Sequence, residues 1–240
     1  MTHFIIPLTI IGLFVVLISI WISKLFKLRG QVPSYSDYWS VPRGETGGII
    51  YLALGDSAAQ GIGASRPDKG YVGIIADQIR KRTHQPVRVI NISKSGAKIQ
   101  DVIEHQISQI EKYNPDIITV DIGGNDISAY SKERLQTGIM TLCDQLPSGT
   151  IIADVPYFMH GHWERNSLEA SEFIADIAQK HNLSVAHVHS AMKDRGFKSM
   201  LYDFAADWFH PNNKGHRVWS SAFEKPIDEQ ISVLLKNKKR

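Results

Sequence analysis

The sequence has one cysteine, Cys143, so no disulfide can form within a single chain. Cys143 falls in a helix-like stretch and has no companion at metal-ligand spacing, which points to a buried thiol. The lack of disulfides fits the cytoplasm, although a domain with a large core needs none outside the cell either. Excess charge is also missing. A net charge of +3 is too small to imply nucleic acid, and some of the basic residues cluster at the ends (Lys24, Lys27 and Arg29; Lys236, Lys238, Lys239 and Arg240). The nearest candidate phosphate loop lacks the lysine that follows a P-loop glycine, so no nucleotide, flavin or metal cofactor is indicated. There is no internal repeat and no low-complexity tract. With 43% hydrophobic and 21% charged residues, the 240-residue chain has the composition of one large globular domain.

Charge is wholly absent from residues 4–22, an apolar run broken only by Pro7, Thr9, Gly12 and Ser19. As a helix this run reaches about 28 Å, close to the thickness of a bilayer core. Only Thr2 and His3 separate it from the initiator methionine, and Trp21 to Leu25 makes a poor cleavage site. A retained single-pass anchor over residues 1–23 is therefore expected rather than a cleaved signal. Lys24, Lys27 and Arg29 follow the run and favour a cytoplasmic flank, whereas a tethered hydrolase often meets its substrate on the other side. Residues 24–48, with Pro33, Pro42 and four glycines, read as a juxtamembrane linker.

From residue 49 to the end, short apolar runs alternate with helical spacing. Residues 49–54, 87–92, 117–122, 150–155 and 185–188 are near-continuous aliphatic runs, as strands buried on both faces require. Residues 72–83, 99–112, 132–146, 164–181 and 214–235 carry the helical period between and after them. The expectation is a three-layer α/β/α sandwich around a five-stranded parallel sheet of flavodoxin-like type.

In such a sheet the chemistry gathers at the carboxyl ends of the strands. Gly55-Asp56-Ser57 follows the first run, where a serine on a tight turn can project its hydroxyl at the sheet edge; alone, it reads first as a helix cap. Gly96, in the loop after the second run, would let a backbone N–H approach a reacting oxygen. Asn125, in Gly123-Gly124-Asn125-Asp126 after the third, offers an amide donor. Asp207 and His210 sit three residues apart, so one short loop could deliver a general base and the carboxylate that orients it. Asp154 and Asp203 are rival partners for His210 without that spacing. Asp56 and Asp126 read as loop-tethering groups and His216 as structural. Tyr157, Phe158 and Met159 either line an acyl pocket or cover the sheet edge. His160, Gly161, His162 and Trp163, with only Glu164 as a nearby acid, read as loop and helix start rather than metal ligands.

Together these four blocks, in this order, resemble the SGNH (GDSL-type) hydrolases over almost the whole chain from residue 49. Ser57 matches the family's nucleophile, Gly96 its second-block glycine, Asn125 its Gly-x-Asn-Asp block, and Asp207 and His210 its last block. Ala58 stands where the family usually has leucine. The resemblance implies a Ser57–His210–Asp207 triad and an acyl-enzyme. It also implies an oxyanion hole made by the N–H groups of Ser57 and Gly96 and the Asn125 amide. The implied substrate is an acyl or acetyl ester, of a lipid or a cell-envelope carbohydrate, and no cofactor is implied. The alternatives are an acyltransferase with the same triad and a catalytically silent binding module. Oligomeric state is left open.

Overall fold

The computed structural model describes residues 2–159 and 161–237, without the side chains of residues 2–11, 200 and 237. The elements run α1 (Thr2–Trp39), β1 (Arg43–Gly44), β2 (Ile49–Gly55), α2 (Ser57–Gln60), α3 (Tyr71–Thr83), β3 (Val87–Asn91), α4 (Ile99–His105), α5 (Ile110–Tyr113), β4 (Ile117–Asp121), α6 (Lys132–Gln145), β5 (Ile151–Ala153), α7 (Gly161–Lys180), β6 (Ser184–Ala186), α8 (Val188–Lys193), α9 (Phe197–Tyr202) and α10 (Asn213–Asn237).

The strand order is β1-β3-β2-β4-β5-β6. The last five of these strands are parallel, and they are the five aliphatic runs of the sequence. The sixth strand was not expected. It is the two-residue β1, which pairs antiparallel with β3 and covers an otherwise open edge. Along β2 the side chains alternate between two cores. Tyr51 and Ala53 join Tyr71, Ile75, Trp219 and Phe223 under α3 and α10, while Leu52 and Leu54 join Val102, Leu135, Ile139 and Ile174 under α4, α6 and α7. Burial on both faces is why these strands carry no polar alternation. The order places the switch point between β2 and β4, so the loops after Gly55 and Asp121 open on one crevice. Cys143 is buried and its thiol is pushed up to about 11 by desolvation.

The N-terminal part departs from expectation. The stretch read as a linker is helical as far as Trp39, Pro33 included. Tertiary contacts outweigh the composition here. Tyr35 and Trp39 are buried, and the Trp39 indole N–H donates to the Gln60 carbonyl at 3.0 Å. The transmembrane helix expected over residues 4–22 is not supported, because no helix among the described residues is long and apolar enough to cross a membrane. The side chains of residues 4–11 lie outside the description.

Candidate active site

The turn from β2 into α2 is forced by its glycine. Gly55 has φ +141°, and a Cβ there would lie 2.2 Å from the Asp121 carbonyl oxygen. Asp56 caps α2 by accepting the Ala58 N–H at 2.9 Å, which makes Ser57 the first residue of a one-turn helix. Its backbone N–H then has no intrahelical partner. The Ser57 Oγ lies 2.9 Å from His210 Nε2, and His210 Nδ1 lies 2.5 Å from Asp207 Oδ2. With the Nδ1 proton donated to the carboxylate, Nε2 is free to accept the Ser57 hydroxyl. The other Asp207 oxygen accepts the backbone N–H groups of Phe209 and His210, each at 3.1 Å. Burial alone would raise the Asp207 pKa. The His210 hydrogen bond and charge, with the two backbone donors, outweigh burial and hold the carboxyl below its usual range. This chain of groups can take the proton from a serine as it attacks a carbonyl.

The expected oxyanion donors are less plainly poised. Gly96 sits in a turn closed by the Ala97 N–H on the Lys94 carbonyl, and its φ of +80° explains the glycine. The space where its Cβ would point is open, so left-handed backbone rather than close protein contact demands it. Asn125 Nδ2 is engaged twice, with Asp56 Oδ2 at 3.1 Å and the Ala97 carbonyl at 3.0 Å. An oxyanion beside Ser57 would have to draw that amide from one of these acceptors.

A buried layer of amides fixes the two loops and was not anticipated from the sequence. The Gln106 side chain brackets Gly55, accepting its N–H at 2.8 Å and donating to its carbonyl at 2.9 Å. Gln60 donates to the Ser93 carbonyl and accepts the Ser95 N–H, so α2 holds the loop that leads to Gly96. Asn91 donates to the Ala59 carbonyl at 2.7 Å. The signal available in the sequence was Gln106 inside an aliphatic helix stripe, a polar group whose burial demands a partner.

Beside Ser57 and His210 a cavity of about 120 Å³ opens, walled by Tyr157, Phe158, Met159, Trp163, Phe209 and Trp219, with Asp121 also lining it. Asp121 accepts the Trp219 indole N–H at 2.8 Å and is pushed up to about 7 by burial. Asp56, also buried, is raised well above the usual carboxylate range by desolvation and by the charge of Asp121. Gly96 and Asn125 are not among the residues that wall this cavity.

Residues 53–218 match the GDSL-like Lipase/Acylhydrolase family. The chain belongs to that family. Solved structures with the same fold include the lipase/acylhydrolase from Enterococcus faecalis, with 18% identity over 76% of this chain and 96% of that one and a TM-score of 0.65. The α/β hydrolase LAE5 from the metagenome of Lake Arreo, Spain, has 20% identity over 77% and 97%, with a TM-score of 0.63. The acetylxylan esterase Axe2 from Geobacillus stearothermophilus has 21% identity over 75% and 94%, with a TM-score of 0.57. Among curated proteins there is no match to the chain. This GDSL-like acylhydrolase is an ester hydrolase.

The remaining sequence candidates fall into place around the acylhydrolase site. The rivals for His210 are engaged elsewhere. Asp203 accepts two hydrogen bonds from Arg195 at 2.9 and 3.0 Å, and Asp154 accepts the His189 N–H and pairs with His187. His160 lies outside the described residues. Glu164 binds His189 Nε2 and the Phe158 N–H, which steadies the cavity wall. No cluster of metal-ligating side chains occurs among the described residues. His216 is buried, accepts the Tyr71 N–H at Nδ1 and donates from Nε2 to the Ile62 carbonyl. Tyr157, Phe158 and Met159 wall the cavity beside Ser57 and His210.

Proposed function

We propose that Ser57 is the nucleophile of this ester hydrolase, His210 its general base and acid, and Asp207 the group that orients His210. The observation that carries the reading is the unbroken chain Ser57 Oγ–His210 Nε2 and His210 Nδ1–Asp207 Oδ2, at 2.9 and 2.5 Å. Ser57 attacks the ester carbonyl while His210 takes its proton. The same proton goes to the departing alkoxide, leaving an acyl-enzyme, and His210 then activates water to release the acid. The backbone N–H groups of Ser57 and Gly96 and the Asn125 amide hold the oxyanion. For Asn125 this requires exchanging one of its two present acceptors for the substrate oxygen. The small aromatic-walled cavity takes the acyl group, and its size favours acetyl to butyryl over long chains. Axe2, a structural relative, is an acetylxylan esterase, which fits a short acyl group.

The test is a series of p-nitrophenyl esters from acetate to octanoate, assayed with the wild type and Ser57→Ala. The expected result is a maximum at short chains and almost no turnover by the variant. Undiminished hydrolysis by Ser57→Ala would remove the assignment.

A further inference from the structure

A second hollow lies on the other side of Trp208. It is a groove of about 630 Å³ between α1 and the segments that flank the triad loop. Trp208 and Phe204 line both this groove and the 120 Å³ cavity, so the two meet beside His210. The α1 wall is fastened to the domain. Gln31 donates to the Ala64 carbonyl at 2.9 Å and accepts the Gly63 N–H at 2.8 Å, and the Tyr35 hydroxyl donates to the Ala64 carbonyl at 2.7 Å. At the far end the Trp21 indole N–H donates to the Ala206 carbonyl at 2.9 Å, one residue before Asp207.

The lining of the groove is one-signed. Lys24 and Lys27 from α1 and Lys214 from α10 contribute to it, and no aspartate or glutamate does. Among the described residues none of these three ammonium groups has a carboxylate partner, whereas other lysines of the chain, Lys132 and Lys225, do. Lys214 lies 5.3 Å from the centre of the Tyr202 ring, which leaves its charge facing the groove region without a counter-ion. Three like charges gathered on a concave surface raise the local positive potential and favour an anionic ligand.

We infer that the groove is a subsite for a phosphate group carried on the alcohol side of the ester, with Lys24, Lys27 and Lys214 as its ligands. The inference rests on Ser57 acting as the nucleophile with the acyl group in the smaller cavity, because that placement directs the alcohol portion across Trp208. The N-terminal helix thereby becomes part of the substrate site. The phosphate could belong to a lipid headgroup or to a soluble phosphorylated polyol, and the same groups would hold either.

The experiment compares 1-butyrylglycerol with 1-butyrylglycerol 3-phosphate, both as monomers, and follows binding of glycerol 3-phosphate to Ser57→Ala by tryptophan emission. The inference expects a higher kcat/KM for the phosphorylated ester, and emission from Trp21 and Trp208 that changes on binding. In K24Q/K27Q/K214Q the preference for the phosphorylated ester and the affinity for glycerol 3-phosphate should both fall roughly tenfold. Lys27→Gln alone should cause part of that loss if the triple variant is unstable. Equal rates for the two monomeric esters, with glycerol 3-phosphate binding no better to wild-type lysines than to glutamines, would overturn the subsite. A preference that appears only with long-chain micelles would also overturn it, because the charge would then act at a lipid surface and not in the groove. Failure of neutral 1-butyrylglycerol to turn over would instead count against the triad, while the binding arm would still read the groove.

Discussion

The two halves of the catalytic chain are held in opposite ways. Ser57 is 6% exposed and sits on a helix turn bracketed by buried side-chain amides from distant segments, with Gln106 reaching Gly55 across 51 residues. Asp207 and His210 lie on a half-exposed loop whose bonds are almost all local, and between them Trp208, 56% exposed, adopts φ +57°. A left-handed conformation is costly for a bulky residue and persists only where its surroundings impose it. The nucleophile is thus placed by the core, and the base by a three-residue turn. Removing a distant amide should disturb the first, while only changes within the loop should disturb the second.

The largest expected effect is Ser57→Ala, which should leave almost no ester turnover while the melting temperature stays near that of the wild type. Asn125→Ala should lower kcat about 10² to 10³-fold, the usual cost of one oxyanion donor. A wild-type kcat in that variant would mean that the amide stays with Asp56 and Ala97 throughout the reaction. Next is a pH effect. His216 is buried with its pKa pushed down to about 4 by desolvation, against 6.5 for an ordinary histidine. The unfolded chain therefore binds the extra proton first. The stability His216 contributes is complete above pH 6.5 and falls as pH drops towards 4, by about 3 kcal/mol. Asp121, raised by burial to about 7, works in the opposite direction over that range. The comparison must therefore be the difference in denaturation free energy between wild type and His216→Gln, which should shift against the wild type as pH falls from 6.5 towards 4. Equal slopes would mean that His216 is not buried neutral.

Gln106→Ala should cost about 1 to 3 kcal/mol of stability, by leaving the Gly55 backbone groups unpaired, and should lower kcat as well. If urea denaturation is unchanged, the nucleophile turn does not depend on the core. Trp208→Gly is the mildest change expected for the fold. Relief of the left-handed backbone should offset the lost ring, leaving stability within about 1 kcal/mol of the wild type.

This contrast also explains what was legible in the sequence. The Asp207–His210 pair could be read directly because its geometry is contained in a three-residue spacing. The five parallel strands were legible because burial on both faces writes itself as unbroken aliphatic runs, and the structure bounds all five within two residues of those runs. At β6 the run from 185 to 188 was overread, since Val188 begins α8. The amide layer was not legible. Gln60, Asn91 and Gln106 have partners that only the folded sheet brings near, and the place of Gln106 in an aliphatic stripe signals that it needs a partner without saying which. Residues 24–39 were misjudged for a related reason. The prolines and glycines of residues 24–48 suggested a linker, whereas helix α1 is held by the pairing of Gln31, Tyr35 and Trp39 with the loop after Ser57.

The most direct test of the central claim is labelling with a fluorophosphonate, followed by mass spectrometry of the peptides. Ser57 as nucleophile predicts one adduct, on Ser57 alone, lost in Ser57→Ala and greatly slowed in His210→Ala. An adduct on another serine, or labelling that survives both substitutions, would contradict it.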